Sequence, residues 1–156
     1  MHAMPLRQQI AERLLLVSAA AAVLMAADLA VKATVPTAPW HFHERSNTWE
    51  ALCVVLLLGA LALARIPSRW VAIGAGVMSG GVAGNLLSAR ANDNRVPNPL
   101  VIGDYATGIA FNAADVFILV GNLLLMVSLM AVTIRHRDRL IPPRRWKAAV
   151  RRRFNS

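Results

Sequence analysis

Four apolar stretches separated by polar ones dominate the chain, at about 14 to 34, 49 to 65, 70 to 88 and 112 to 134. With about 1.5 Å of rise per residue, each approaches the roughly 20 residues that a helix needs to cross hydrocarbon. The second and third are the shortest and read as two arms of one hairpin turning at RIPSR, residues 65–69. After the first stretch Pro36 and Pro39 break the chain, and TAPWHFHERSNTW forms a loop whose Trp40 and Trp49 bracket its polar residues as interfacial anchors do. The other long loop, ARANDNRVPNPLVIGDYATGIA, is the most polar stretch. Pro97, Pro99, Gly103 and Gly108 exclude a continuous helix there, although VPNPLVIG is compatible with a short extended piece. The pattern predicts an all-α integral membrane fold of four transmembrane helices with a polar layer of loops on the outer face. It comprises a basic N-terminus over 1–13, a helical domain over 14–134 and a basic tail over 135–156, with neither an internal repeat nor a second domain.

Composition narrows the solvent. A chain of 156 residues that is 56% hydrophobic and 16% charged cannot hide its apolar side chains in one small soluble core, so lipid is the expected surrounding. The formal charge of +9 matters less than its placement. Arg7 and Arg13 precede the first span, Arg65 and Arg69 lie in the hairpin turn, and nine Lys and Arg residues fall between Arg135 and Arg153. The remaining loops hold only Lys32 with Arg45 and Arg90 with Arg95. By the positive-inside rule both termini and the 65–69 turn are cytoplasmic, and loops 35–48 and 89–110 face outward. A basic tail at a helix's cytoplasmic end points to anionic lipid head groups as partners, not to nucleic acid. The length of the first span, with Asp28 and Lys32 at its far end, argues for a retained anchor and against a cleaved signal peptide. The single cysteine, Cys53, has no second thiol or histidine cluster beside it and reads as a packing residue.

Ionisable groups near hydrocarbon are costly and therefore mark function. Of eight acids, Glu12 and Asp138 fall on the cytoplasmic side, and Glu44, Glu50 and Asp93 in outer loops or at a helix end. Asp28, Asp104 and Asp115 remain, all at the outer boundary. Asn112 and Asp115, spaced i, i+3, share one face at the start of the last helix, where Asn112 suits the cap position. Asp104 precedes Asp115 by eleven residues, and a returning loop would set the two carboxylates side by side. Such a pair shares a proton, so that one acts as base on a water while the other acts as acid toward a carbonyl, with no metal or cofactor. The structural alternative is a loop Asp capping a turn and a helix Asp bonded to a neighbouring Asn or Lys. In the third span Gly74, Gly76, Gly80, Gly81 and Gly84 let helices approach closely, and Asn85 points an amide toward the polar layer. Asp28 and Lys32, spaced i, i+4, form a helical ion pair with the acid N-terminal to the base.

Taken in order, AADLAVK around Asp28 and Lys32, GGVAGN ending at Asn85, the loop Asp104, and FNAADVFILVG containing Asn112 and Asp115 resemble the lipoprotein signal peptidases, signal peptidase type II. The resemblance runs from about residue 14 to 134, and its most specific part is FN-x-AD-x-x-I-x-x-G. It implies a four-helix aspartic endopeptidase of the bacterial inner membrane that removes signal peptides from diacylglyceryl-modified prolipoproteins. It further implies Asp104 and Asp115 as the catalytic dyad, Asn85 and Asn112 as polar support for the substrate, and Asp28 with Lys32 as the brace of the first helix. Two family motifs are altered. N-x-x-D-R becomes Asn85 followed by Leu86, Leu87, Ser88 and Ala89, and N-x-G-x-A-F in the first outer loop is reduced to an echo at Asn47–Ala51. Those losses keep a second reading open, a catalytically inactive protein that binds lipoproteins. A third is a small transporter component with carboxylates lining a path.

Overall fold

The computed structural model describes residues 4–137, so Asp138 and the basic tail beyond it lie outside the described residues. The described residues are mostly helical, at 72%. In order it forms α1 (Leu6–Thr34), a 3-10 turn (Pro39–His41), β1 (Phe42–Glu44), α2 (Asn47–Leu63), α3 (Arg69–Ala91), β2 (Arg95–Pro97), β3 (Leu100–Ile102), β4 (Ile109–Phe111) and α4 (Ala113–Arg135). Helices α1, α3 and α4 are each long and apolar enough to cross a membrane, which is the character of a membrane protein, while the apolar α2 has 17 residues.

The helix starts follow local chemistry. Ser46 accepts a hydrogen bond from the Trp49 amide at the head of α2, and Ser68 accepts one from Val71 at the head of α3. Asn112 opens α4 through a reciprocal capping box with Asp115. α1 begins at Leu6, a full two turns before the apolar pattern does, because its polar residues have partners on the α2–α3 turn. The Arg13 guanidinium, 6% exposed, donates through Nε to the Ala64 carbonyl at 2.7 Å and so closes the end of α2, while Glu12 pairs with Arg69.

α3 is the centre of the bundle. Its small residues bring α1 against one side and α4 against the other. A methyl group added at Gly80 would lie 2.8 Å from Leu24 Cβ, and one at Gly76 equally close to Ala20 Cβ. On the opposite side Gly74 meets Leu125 and Gly81 meets Ala114 and Ile118. Gly121 of α4 returns the contact against the backbone of Met78. These approaches give close-packed helix pairs where side-chain area alone would not hold helices together in lipid. Leu15, Val23, Leu58, Val127 and Ile134 point outward and are at least 61% exposed, the pattern of a surface that faces acyl chains.

Beyond the helices the expected all-α architecture is modified by two short antiparallel pairs. β1 pairs with β2, with Phe42 opposite Pro97 and Glu44 opposite Arg95. β3 pairs with β4, with Leu100 opposite Phe111 and Ile102 opposite Ile109. Asp93 and Asn94, both at positive φ, reverse the chain out of α3 into β2, a conformation that these two residue types tolerate. The first pair joins the α1–α2 loop to the α3–α4 loop. Because the two loops are joined at one end and Arg13, Glu12 and Arg69 tie the other, the bundle has two chemically different ends.

Candidate functional site

At the loop-covered end, side chains from three helices form one hydrogen-bonded network. Asp28, fully buried on α1, binds the Lys32 ammonium through Oδ2 at 2.6 Å and accepts the Ala114 amide of α4 through Oδ1 at 2.8 Å. Its carboxylate therefore satisfies one of the free N–H groups at the start of α4, where the helix dipole favours negative charge. Lys32 donates to Asn85 Oδ1 on α3 at 2.7 Å, and Asn85 Nδ2 donates to Asp115 Oδ1 at 3.1 Å. Asp115 Oδ2 accepts the Asn112 amide at 3.1 Å while the Asp115 amide donates to Asn112 Oδ1 at 3.0 Å. Gly84 makes room for all of this, since a methyl group there would sit 2.5 Å from Asp28 Oδ2.

Five of the six residues singled out in the sequence, Asp28, Lys32, Asn85, Asn112 and Asp115, thus meet in one place. Asn112 is wholly buried and Asn85 2% exposed, both with their amides engaged. Both amides are bonded to protein groups in this conformation. Asp115 is the partly exposed acid of the network, and each of its oxygens keeps a lone pair for a further donor.

Asp104 stands apart. It is solvent-exposed at the tip of the β3–β4 hairpin, and Oδ1 accepts the amides of Ala106 at 2.9 Å and Thr107 at 3.2 Å and the Thr107 hydroxyl at 3.3 Å. Those bonds hold its carboxyl below the ordinary carboxylate range, so it is ionised at neutral pH. No hydrogen bond joins Asp104 to Asp115 among the described residues. Each acid instead takes the structural role that its neighbourhood offers, one in its own turn and the other in a helix cap.

Asn98 and His41 gave no sequence signal. Asn98, 1% exposed, accepts from Asn112 Nδ2 at 2.6 Å and donates toward the Ala110 carbonyl and His43 Nδ1, which joins the network to both strand pairs. His41 is buried at 4% exposure with neither ring nitrogen partnered, and its ring packs edge-on against Tyr105, 5.0 Å away, next to Asp104. Ser88, where the altered N-x-x-D-R motif would carry its acid, donates to its own helix at Gly84, and Arg90 reaches across to Glu50 of α2. An open cleft of about 460 Å³ lies beside the network, lined among others by Lys32, Thr37, Phe42, Ser88, Asn92 and Pro97. A second, of about 570 Å³, lies at the opposite end beside Arg69 and Arg135 and has no carboxylate in its lining. Among the described residues no cluster of His, Cys, Asp and Glu has the makeup of a metal site. Comparison of the chain with protein-family models, with curated proteins and with solved structures returned no match.

Proposed function

We propose that the chain is a signal-peptidase-II-like aspartic endopeptidase of the bacterial inner membrane, with Asp115 as its fixed acid and Asp104 as a mobile one. The observation that carries this reading is the convergence of Asp28, Lys32, Asn85, Asn112 and Asp115, from three helices, on one hydrogen-bonded network at the loop-covered end of an apolar bundle. A helix cap alone requires only Asn112 and Asp115. The remaining residues fix the height and orientation of a carboxylate that stays partly exposed, and Lys32 of the same network lines an open cleft. On this reading α2 also crosses the bilayer, its 17 residues spanning about 26 Å. Both termini and the 65–69 turn are cytoplasmic, and the prolipoprotein signal helix enters laterally from lipid.

Catalysis then requires the β3–β4 hairpin to move. Eight residues of chain lie between Asp104 and the start of α4, and the length of β4 alone, Ile109–Phe111, is about 10 Å of extended chain. Folding the tip inward over a bound peptide would bring Asp104 to Asp115, so that the two carboxyls share one proton, one acting as base on a water and the other as acid toward the carbonyl. The same motion would withdraw Tyr105 from His41. The three turn bonds of Asp104 favour a second reading, in which the scaffold binds signal-bearing lipoproteins without cutting them.

The deciding experiment is cleavage of a diacylglyceryl-modified prolipoprotein by the purified protein in lipid. Wild type should cut, and Asp104→Asn and Asp115→Asn should each lose at least a hundredfold in rate, the scale on which general acid–base groups contribute. Binding without cleavage by wild type would establish the second reading.

A further inference from the structure

The middle of α4 carries a polar side chain with nothing to bond to. Asn122 is the tenth residue of this 23-residue helix, about 14 Å along the axis from its start, and so near the centre of a roughly 30 Å hydrocarbon layer. It is exposed, and no hydrogen bond reaches its amide among the described residues. Its neighbours on the same outward face are apolar: Leu119 is 60% exposed, Leu123 50%, Met126 57% and Met130 59%.

Rotation of α4 cannot tuck this amide inside. The preceding residue, Gly121, lies directly against the Met78 backbone, where any Cβ would overlap the main chain. Gly81 and Gly74 of α3 close on Ala114, Ile118 and Leu125 in the same way, so α4 is keyed to α3 along its length. Turning the helix by one residue would drive Asn122 or Val120 into a place that admits glycine only. The keyed packing therefore fixes Asn122 on the lipid side, where an unbonded amide costs free energy.

We infer that α4 is a dimer interface and that its occupant is a second copy of this chain. A carboxamide both donates and accepts, so two Asn122 side chains facing one another across a two-fold axis satisfy each other, as an isologous contact demands. The apolar core of a signal peptide carries no group that could do so. The inference rests on the membrane character of the helices and is independent of peptidase activity.

The test is energy transfer between donor- and acceptor-labelled copies of the full chain in vesicles of phosphatidylcholine and phosphatidylglycerol at low protein density. Wild type should associate, Asn122→Leu should associate about tenfold more weakly, and Asn122→Gln should behave as wild type. In a Cys53→Ala background, Met126→Cys, one turn along the same outward face and leaving the Asn122 amide in place, should cross-link between copies, whereas Ser18→Cys on the exposed face of α1 should not. A monomeric wild type, or unchanged association of Asn122→Leu, would overturn the inference. So would unfolding of Asn122→Leu, because a leucine facing lipid is harmless.

Discussion

Asn85 has a single orientation open to it. Lys32 only donates and the Asp115 carboxylate only accepts, so the amide oxygen must face the first and the nitrogen the second. The same reasoning orients Asn112 between Asn98 and the Asp115 amide. Asp28 and Lys32, spaced i, i+4, and Asn112 and Asp115, spaced i, i+3, were legible in the sequence because spacing within one helix carries them, and Asn85 as the amide that ends the glycine-rich stretch of the third span. The contact between Asp28 and the Ala114 amide was not legible, since it joins residues 86 apart on two helices whose relative height is set by glycines. Asp104 belongs to the residue scale as well. Its turn bonds favour the ionised form, so they stabilise the turn at any pH above the ordinary value of 3.8 and fade as pH falls through its depressed value. The amide signals of Ala106 and Thr107, followed by nuclear magnetic resonance, should stay constant from pH 8 to pH 5 and move only in stronger acid. A transition near neutrality would mean that another group holds the turn.

At the scale of elements, α3 shows what its glycines are for. Gly84→Ala should push Asp28 off Lys32 and Ala114, and Gly121→Ala should force α4 away from Met78. Each should lower stability by about 1 to 3 kcal/mol, the usual cost of overpacking. Gly59 of α2 has open space around it, so Gly59→Ala should be neutral or raise stability by up to about 1 kcal/mol through helix propensity. Thermal unfolding in detergent, with helix content followed by circular dichroism, orders the three variants. The apolar periodicity located all four helices and the 65–69 turn, and missed the start of α1. A charged residue such as Arg13 reads as a boundary in a hydropathy pattern and becomes interior only once the Ala64 carbonyl is placed beside it. The strand pairs escaped for a similar reason. Three-residue strands have no periodicity of their own, β1 and β2 lie in different loops, and the extended piece read in VPNPLVIG did not say what it pairs with.

For the molecule as a whole, the proposed orientation is open to direct labelling. In a Cys53→Ala background, cysteines at Ser46 and Thr107 should react with an impermeant maleimide in intact cells, and one at Ser68 should react only after the membrane is opened. Equal reaction at Ser46 and Ser68 would place α2 in the membrane surface without crossing it.

The central position of α3 also bears on how the protein is made. Of the three long helices it is the least apolar and the most enclosed, because protein and not lipid surrounds most of it. While α1 and α2 emerge from the ribosome, they touch each other little and have no common partner. Membrane entry of α3 is therefore the step at which assembly begins, and its glycine faces need α1 already waiting on one side. A nascent chain halted after Ala91 should hold α3 in the bilayer only when α1 is present, which makes the first helix a chaperone for the third.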